Sequence, residues 1–169
     1  RLPKTPIELK AIEPFRAPDA PAAYYYSAPE DGSRPAYYYL NTHDPQSRPL
    51  YTMPALAWHE AIPGHHLQIA LAHEAEALPT FMQNTGFTAF VEGWALYAEQ
   101  LADELGLYHT PAERMGAYAY EMWRAARLVV DTGLHAEGWS RETAERFLLE
   151  NTALAENNIA NEVDRYITW

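Results

Sequence analysis

His59-Glu60-Ala61-Ile62-Pro63-Gly64-His65-His66 places three histidines and a glutamate within eight residues. A second acidic stretch, Glu92-Gly93-Trp94-Ala95-Leu96-Tyr97-Ala98-Glu99, follows on what the apolar spacing predicts to be a separate helix. This is the donor set of a catalytic zinc site with nitrogen and oxygen ligands and no thiolate. Such a site needs three protein ligands and one open position, and a carboxylate beside it to move a proton. His59 and Glu60 match the opening of the helical His-Glu-x-x-His pattern, but its fifth position is Pro63.

Helix geometry decides what the next histidines can do. In a straight helix His65 lies ~600° round from His59, ~120° off its face, and ~9 Å along the axis. Pro63 removes a helical donor and Gly64 permits unusual dihedrals, so a bulge that loops out two residues brings His65 back to the metal. His66 matches the angle within ~20° but lies ~10.5 Å along the axis. His65 is the preferred ligand, with His66 behind it or against substrate. Glu92 is the best carboxylate ligand from another helix. Glu99, two turns later on the same face, suits a bond to a ligand histidine from behind. Gly93 is expected to let the two helices approach closely, and Trp94 and Tyr97 to wall the site.

Outward from this centre the pattern stays helical. Residues 55–76 carry an apolar stripe broken at Pro63-Gly64, and 87–106 form a helix stopped by Gly106. Thr110-Pro111 with Glu113 predicts a capped helix from about Pro111 to about Thr132, ending at Gly133. Ser140 with Glu142 and Thr143 starts another, to about Glu150, and a last segment covers about 153–166. Upstream, residues 22–27 and 36–41 are tyrosine-rich strands joined across Asp31-Gly32, an antiparallel hairpin. Residues 42–54 form a loop and 1–21 an extended arm. The fold class is mainly α, with a small β-hairpin near the N-terminus. The domain organisation is a single segment over 1–169, whose metal site lies in the helical part, 55–169.

Composition sets limits. The 169 residues suit one domain and carry a net charge of −11. That acidity argues against nucleic acid and anionic membranes as partners. The chain has no cysteine, which excludes thiol catalysis, disulfides and zinc fingers. No apolar run approaches the ~20 residues of a membrane span. The chain opens on Arg1 rather than Met, so a piece of a longer protein is expected.

The two motifs together resemble the bacterial DUF885 family, mainly helical zinc-dependent peptidases of the gluzincin type. Asp31-Gly32-Ser33-Arg34-Pro35-Ala36 with Tyr38 to Asn41, and Val130-Asp131-Thr132-Gly133-Leu134-His135 before Gly138-Trp139-Ser140, extend the likeness over most of the chain. The resemblance implies zinc held by His59, His65 and Glu92, with Glu60 as general base. It also implies a peptide substrate, flanking parts in a longer chain, and a bacterial periplasmic or secreted setting. On the substrate side, residues 37–41 are the candidate edge strand, with Asn41 and Thr42 nearest the metal. Tyr120, Arg124, Arg127, Asp131 and His135 share a broad face of one helix. His135, with Tyr120, is expected to stabilise the oxyanion, and Arg124 or Arg127 to pair with a substrate carboxylate. Two other readings stay open: a metal-dependent hydrolase of non-peptide amides or esters, and a non-catalytic helical binding module. His43, His73 and His109, and the acidic residues at 74, 76, 103 and 104, are expected on solvated surfaces.

Overall fold

The structure, a computed structural model, describes residues 1–168, without the side chain of Asn84. Among the described residues, strands β1 (Ile7–Ala11), β2 (Ala23–Tyr26) and β3 (Ala36–Leu40) precede the helices. The helices are α1 (Met53–Glu60), α2 (His65–His73), α3 (Thr80–Asn84), α4 (Thr88–Glu104), α5 (Pro111–His135), α6 (Arg141–Asn151) and α7 (Glu156–Thr168). The chain is thus mainly α-helical with a small sheet near its N-terminus.

The expected hairpin is present, since β2 and β3 pair antiparallel with Tyr25 opposite Tyr38. Residues 1–21 are more than an arm. Ile7–Ala11 add to the other side of β3 in parallel, giving the order β1-β3-β2. Glu74, expected on a solvated face, anchors this arm. Its carboxylate accepts from the backbone N–H of Lys4 (2.7 Å) and Thr5 (2.9 Å). The tyrosines divide by the two-residue period of a strand. Tyr38 points into the core, while Tyr24 and Tyr39 stack outside it at 4.9 Å between ring centres.

α5 carries both halves of the core. Its buried stripe is Gly116, Tyr120, Ala126, Val130 and Gly133, a helical period. The first half packs with Ala23, Tyr38, Ala55, Leu56, Ala102 and Tyr108. The second packs with Ala144, Leu148, Ile159, Val163 and Tyr166 of α6 and α7. Its start is the expected capping box: Thr110 Oγ1 accepts from Glu113 N–H, and the Glu113 carboxylate accepts from Thr110 N–H. Its end lies past Gly133, which is no stop signal. The ring of Trp139 lies 2.3 Å from where a Cβ would stand, so residue 133 is glycine to admit that ring.

Candidate metal centre

The Pro-Gly break does more than bulge a helix. It separates α1 from α2, with Ala61–Gly64 between them. Ala61 N–H closes α1 on Ala57 O, and Gln68 N–H opens α2 on Gly64 O. A Cβ on Gly64 would lie 1.8 Å from His59 O, so only glycine lets the chain fold back this tightly. Trp94 of α4 pins the turn by donating Nε1–H to Pro63 O at 2.8 Å. The consequence is that His59, the penultimate residue of α1, and His65, the first of α2, face each other with ring centres 4.7 Å apart.

Glu92 of α4 completes the group. One donor atom from each of His59, His65 and Glu92 lies within 4.8 Å of the others. Glu92 Oε2 is 3.8 Å from His59 Nε2, and Oε1 is 3.9 Å from His65 Nε2. Behind His59, buried Glu99 accepts from Nδ1–H at 2.7 Å. In the neutral ring that bond leaves the lone pair on Nε2, aimed at the Glu92 carboxylate. Arg124 of α5 holds Glu99 in turn, Nη2 to Oε1 at 3.1 Å.

This donor set fits a zinc ion. A cation placed between His59 Nε2 and the Glu92 carboxylate, 3.8 Å apart, would be bonded by both. Tetrahedral ligands at ~2.0–2.1 Å from zinc stand ~3.3 Å from one another, about half an ångström closer than Glu92 now stands to either histidine, so the three side chains would close in by small rotations on binding the ion. Burial, with His59 beside it, pushes the His65 imidazole down to about 4, so it is neutral and free to ligate at neutral pH. Its Nδ1 is buried with no hydrogen-bond partner. Glu60, 7% exposed, lines the same cleft. Burial raises its carboxyl to about 7, the nearby His59 and the Tyr25 backbone N–H opposing and Glu92 reinforcing.

The cleft is about 390 Å³ and open to solvent, lined by His59, His65 and Glu92 and by residues of β2. The strand reading needs correction here. β3 is the central strand, so residues 37–41 offer no free edge. β2 is the edge. Asn41 N–H bonds Ala22 O at 2.9 Å, and pairs alternate in an antiparallel ladder. The N–H and C=O groups of Ala23 and Tyr25 therefore point away from β3. Asn41 itself is buried, donating through Nδ2 to the carbonyls of Ala17, Ala20 and Pro21. It fastens the arm and lies outside this cleft.

Other expected residues are also placed elsewhere. His66 is buried between the arm and the sheet, Nε2 donating to Thr5 O and Nδ1 accepting from Tyr25 O–H, both at 3.1 Å. Tyr120 is core, next to Thr52. His135 donates Nε2–H to Tyr166 O at 2.9 Å, with Asp131, largely exposed, as its neighbour at 3.6 Å. None of these lines the cleft, so the expected oxyanion pair of His135 and Tyr120 is not assembled there. A Cβ on Gly93 would meet nothing within 4 Å, and the residue is exposed, so it does not set the helix spacing. Trp94 and Tyr97 pack on each other outside the cleft. Arg127 does line it, and sequence reasoning missed two neighbours, Glu162 and Arg165 of α7.

No helix among the described residues is long and apolar enough to cross a membrane. Compared with known proteins, residues 1–169 match the family model described as "Bacterial protein of unknown function (DUF885)". The crystal structure of a "putative lipoprotein" from Colwellia psychrerythraea is 40% identical in sequence and superposes with a TM-score of 0.96 over 100% of this chain. The chain spans 29% of the length of that protein. No curated protein matches. Its sequence, from the arm through the last helix, places this chain in the bacterial DUF885 family.

Proposed function

We propose that this chain is the core of a zinc-dependent peptidase, with His59, His65 and Glu92 as metal ligands and Glu60 as general base. The observation that carries the reading is the convergence of three donor atoms within 4.8 Å beside a buried carboxylate in an open cleft. Zinc in that position supplies Lewis acidity to a substrate carbonyl and to a water. Glu60, buried beside the three donors, would serve as the base that takes a proton from the attacking water and returns it to the leaving amine. Glu99 and Arg124 hold the His59 ring in the orientation and tautomer that ligation needs. The free edge of β2 favours a peptide over other amides. Ala23 offers an N–H and a C=O with the spacing of a strand, and an extended peptide adds to such an edge. The likeness to a lipoprotein supports a setting in the bacterial envelope.

The test has two steps. Zinc content is measured by elemental mass spectrometry on the wild-type chain, His65→Ala and His66→Ala. One zinc per chain, lost in His65→Ala and kept in His66→Ala, is expected. The zinc-loaded Glu60→Gln variant is then compared with wild type on quenched fluorescent peptides. It should retain the metal and lose ~10²–10⁴-fold in turnover. Absence of zinc after reconstitution, or undiminished turnover in Glu60→Gln, overturns the proposal. Turnover of non-peptide amides alone replaces it with the broader hydrolase reading.

A further inference from the structure

The cleft lining carries Arg124 and Arg127 of α5 and Arg165 of α7. In a chain of net charge −11, three guanidiniums at one cleft call for a reason. Arg124 has one: its Nη2 sits on Glu99, and its Nη1 is buried without a hydrogen-bond partner among the described residues. Arg127 and Arg165 differ. Both bond the same carboxylate oxygen, Glu162 Oε2, at 3.4 and 2.5 Å. Glu162 is 2% exposed, and one guanidinium is enough to neutralise it. The second leaves a surplus positive charge beside Glu162, while the cleft's other carboxylates, Glu60 and Glu92, lie with the candidate metal ligands.

The pair is held in place. Arg127 Nε donates to Tyr166 O–H at 3.1 Å. Both guanidiniums lie over the Tyr166 ring, at 5.2 and 5.3 Å from its centre. Among the described residues, hydrogen bonds engage Nε and Nη2 of Arg127 and Nη2 of Arg165. Nη1 of each is left to donate. Their side chains are 35% and 43% exposed, so both can be reached from the cleft. A preorganised pair of planar forks with spare N–H donors is the chemistry that recognises a carboxylate. Arg127 follows Arg124, which touches His59, by three residues, or ~4.5 Å along α5. That is the length of one to two residues of extended peptide.

We infer that Arg127 and Arg165 bind a carboxylate of the substrate, from its C-terminus or from an acidic side chain, within a few residues of the bond that is cut. This rests on the peptidase reading, and it narrows the reaction to cleavage near a peptide's C-terminus or near an acidic side chain. The binding test uses metal-free protein, because a loaded zinc would itself attract the carboxylate. Calorimetry compares N-acetyl-Ala-Ala with its C-terminal amide, and with the amide of N-acetyl-Ala-Asp. The free acid should bind at least tenfold more tightly than its amide. If the aspartyl amide matches the free acid, either carboxylate serves; if it behaves as the plain amide, the C-terminal source is selected. Arg165→Gln, which leaves Arg127 on Glu162, should reduce the preference in a protein whose melting curve is intact. Equal binding of all three ligands, or a preference unchanged in both Arg165→Gln and Arg127→Gln, overturns the inference. Zinc-loaded protein that cuts acid-ended and amide-ended neutral and acidic peptides alike overturns it too, and leaves the peptidase reading standing. Selective binding without cleavage of any peptide sinks that reading and keeps the carboxylate site.

Discussion

Replacing Glu99 tests the support behind the candidate metal. Its carboxylate takes the Nδ1–H of His59 at 2.7 Å and the Arg124 guanidinium at 3.1 Å, and its side chain is 6% exposed. Loss of such a carboxylate behind a ligand histidine weakens metal binding by roughly 10- to 100-fold. At zinc held at ~100 times the wild-type Kd, the ion stabilises wild type by ~2.7 kcal/mol. A tenfold weaker variant keeps ~1.4 kcal/mol of that, and a hundredfold weaker one ~0.4 kcal/mol. Glu99→Gln, whose amide oxygen still accepts from His59, belongs at the mild end and Glu99→Ala at the severe end. A second cost is independent of metal. Arg124 loses its carboxylate, and breaking a buried pair costs ~3–5 kcal/mol. The remaining exposure of Arg124 (18%) and its position over Tyr120 and Trp123 put the figure near ~3 kcal/mol. The assay is chelator competition for zinc, with melting curves of each variant with and without the ion. If both variants fold and bind zinc within twofold of wild type, Glu99 does not orient a ligand and the assignment of His59 fails with it.

Three further outcomes are expected. Gly64→Ala places a methyl group against His59 O, which is backbone and has no rotamer to yield. It should cost ~1–3 kcal/mol and abolish zinc binding even where the variant still folds, read by circular dichroism and metal content. Asn41→Ala strands three carbonyls that its amide now serves, and should lower stability by ~1–3 kcal/mol in denaturant melts with zinc affinity unchanged. Burial works to raise the Glu74 carboxyl, but the N–H groups of Thr5 and Lys4 and the Thr5 hydroxyl outweigh it and hold it below the usual carboxylate value. Its contribution is therefore full above the unfolded value of ~4.3 and is lost as pH falls through the lower folded one. Hydrogen exchange should show residues 4–11 losing protection at acid pH before α5 does; simultaneous loss would mean that Glu74 does not hold the arm.

What was legible in the sequence was local. Capping residues, helical periods and the Pro63-Gly64 break depend on neighbours a few positions away, and so does the pairing of His59 with His65. The strand order was not legible, because Ile7–Ala11 find β3 across a long separation and the surrounding prolines hide them. That error carries a second one, since without β1 the central strand reads as an edge. The oxyanion pair was open to correction from helix geometry alone. Tyr120 and His135 are 15 residues apart on one helix, ~22 Å along its axis, too far to serve one carbonyl. Glu162 also left a signal: it falls among Ile159, Val163 and Tyr166 on the buried stripe of an amphipathic helix. A carboxylate in that position calls for cations.

The same helix that supports the ligands also sets the distance to the proposed carboxylate site. His59 is held by Glu99, Glu99 by Arg124, and Arg124 stands on α5 three residues before Arg127. Arg127 in turn ties α5 to α7 through Glu162 and Tyr166. A regular helix fixes the separation of Arg124 and Arg127 far better than a loop would. Under the proposed function, the rigid element would convert a preference for a charge into a choice of which bond sits at the metal. A flexible mount would bind the same carboxylate and leave the cut site undefined. On this reading a helix-weakening change between Arg124 and Arg127 but on the exposed face of α5, such as Ala125→Gly, should blur the cleavage position before it lowers zinc affinity. Product analysis by mass spectrometry, with zinc titrated in parallel, decides it: a sharp cut site retained in a variant with a measurably loosened α5 would separate the two sites and refute the coupling.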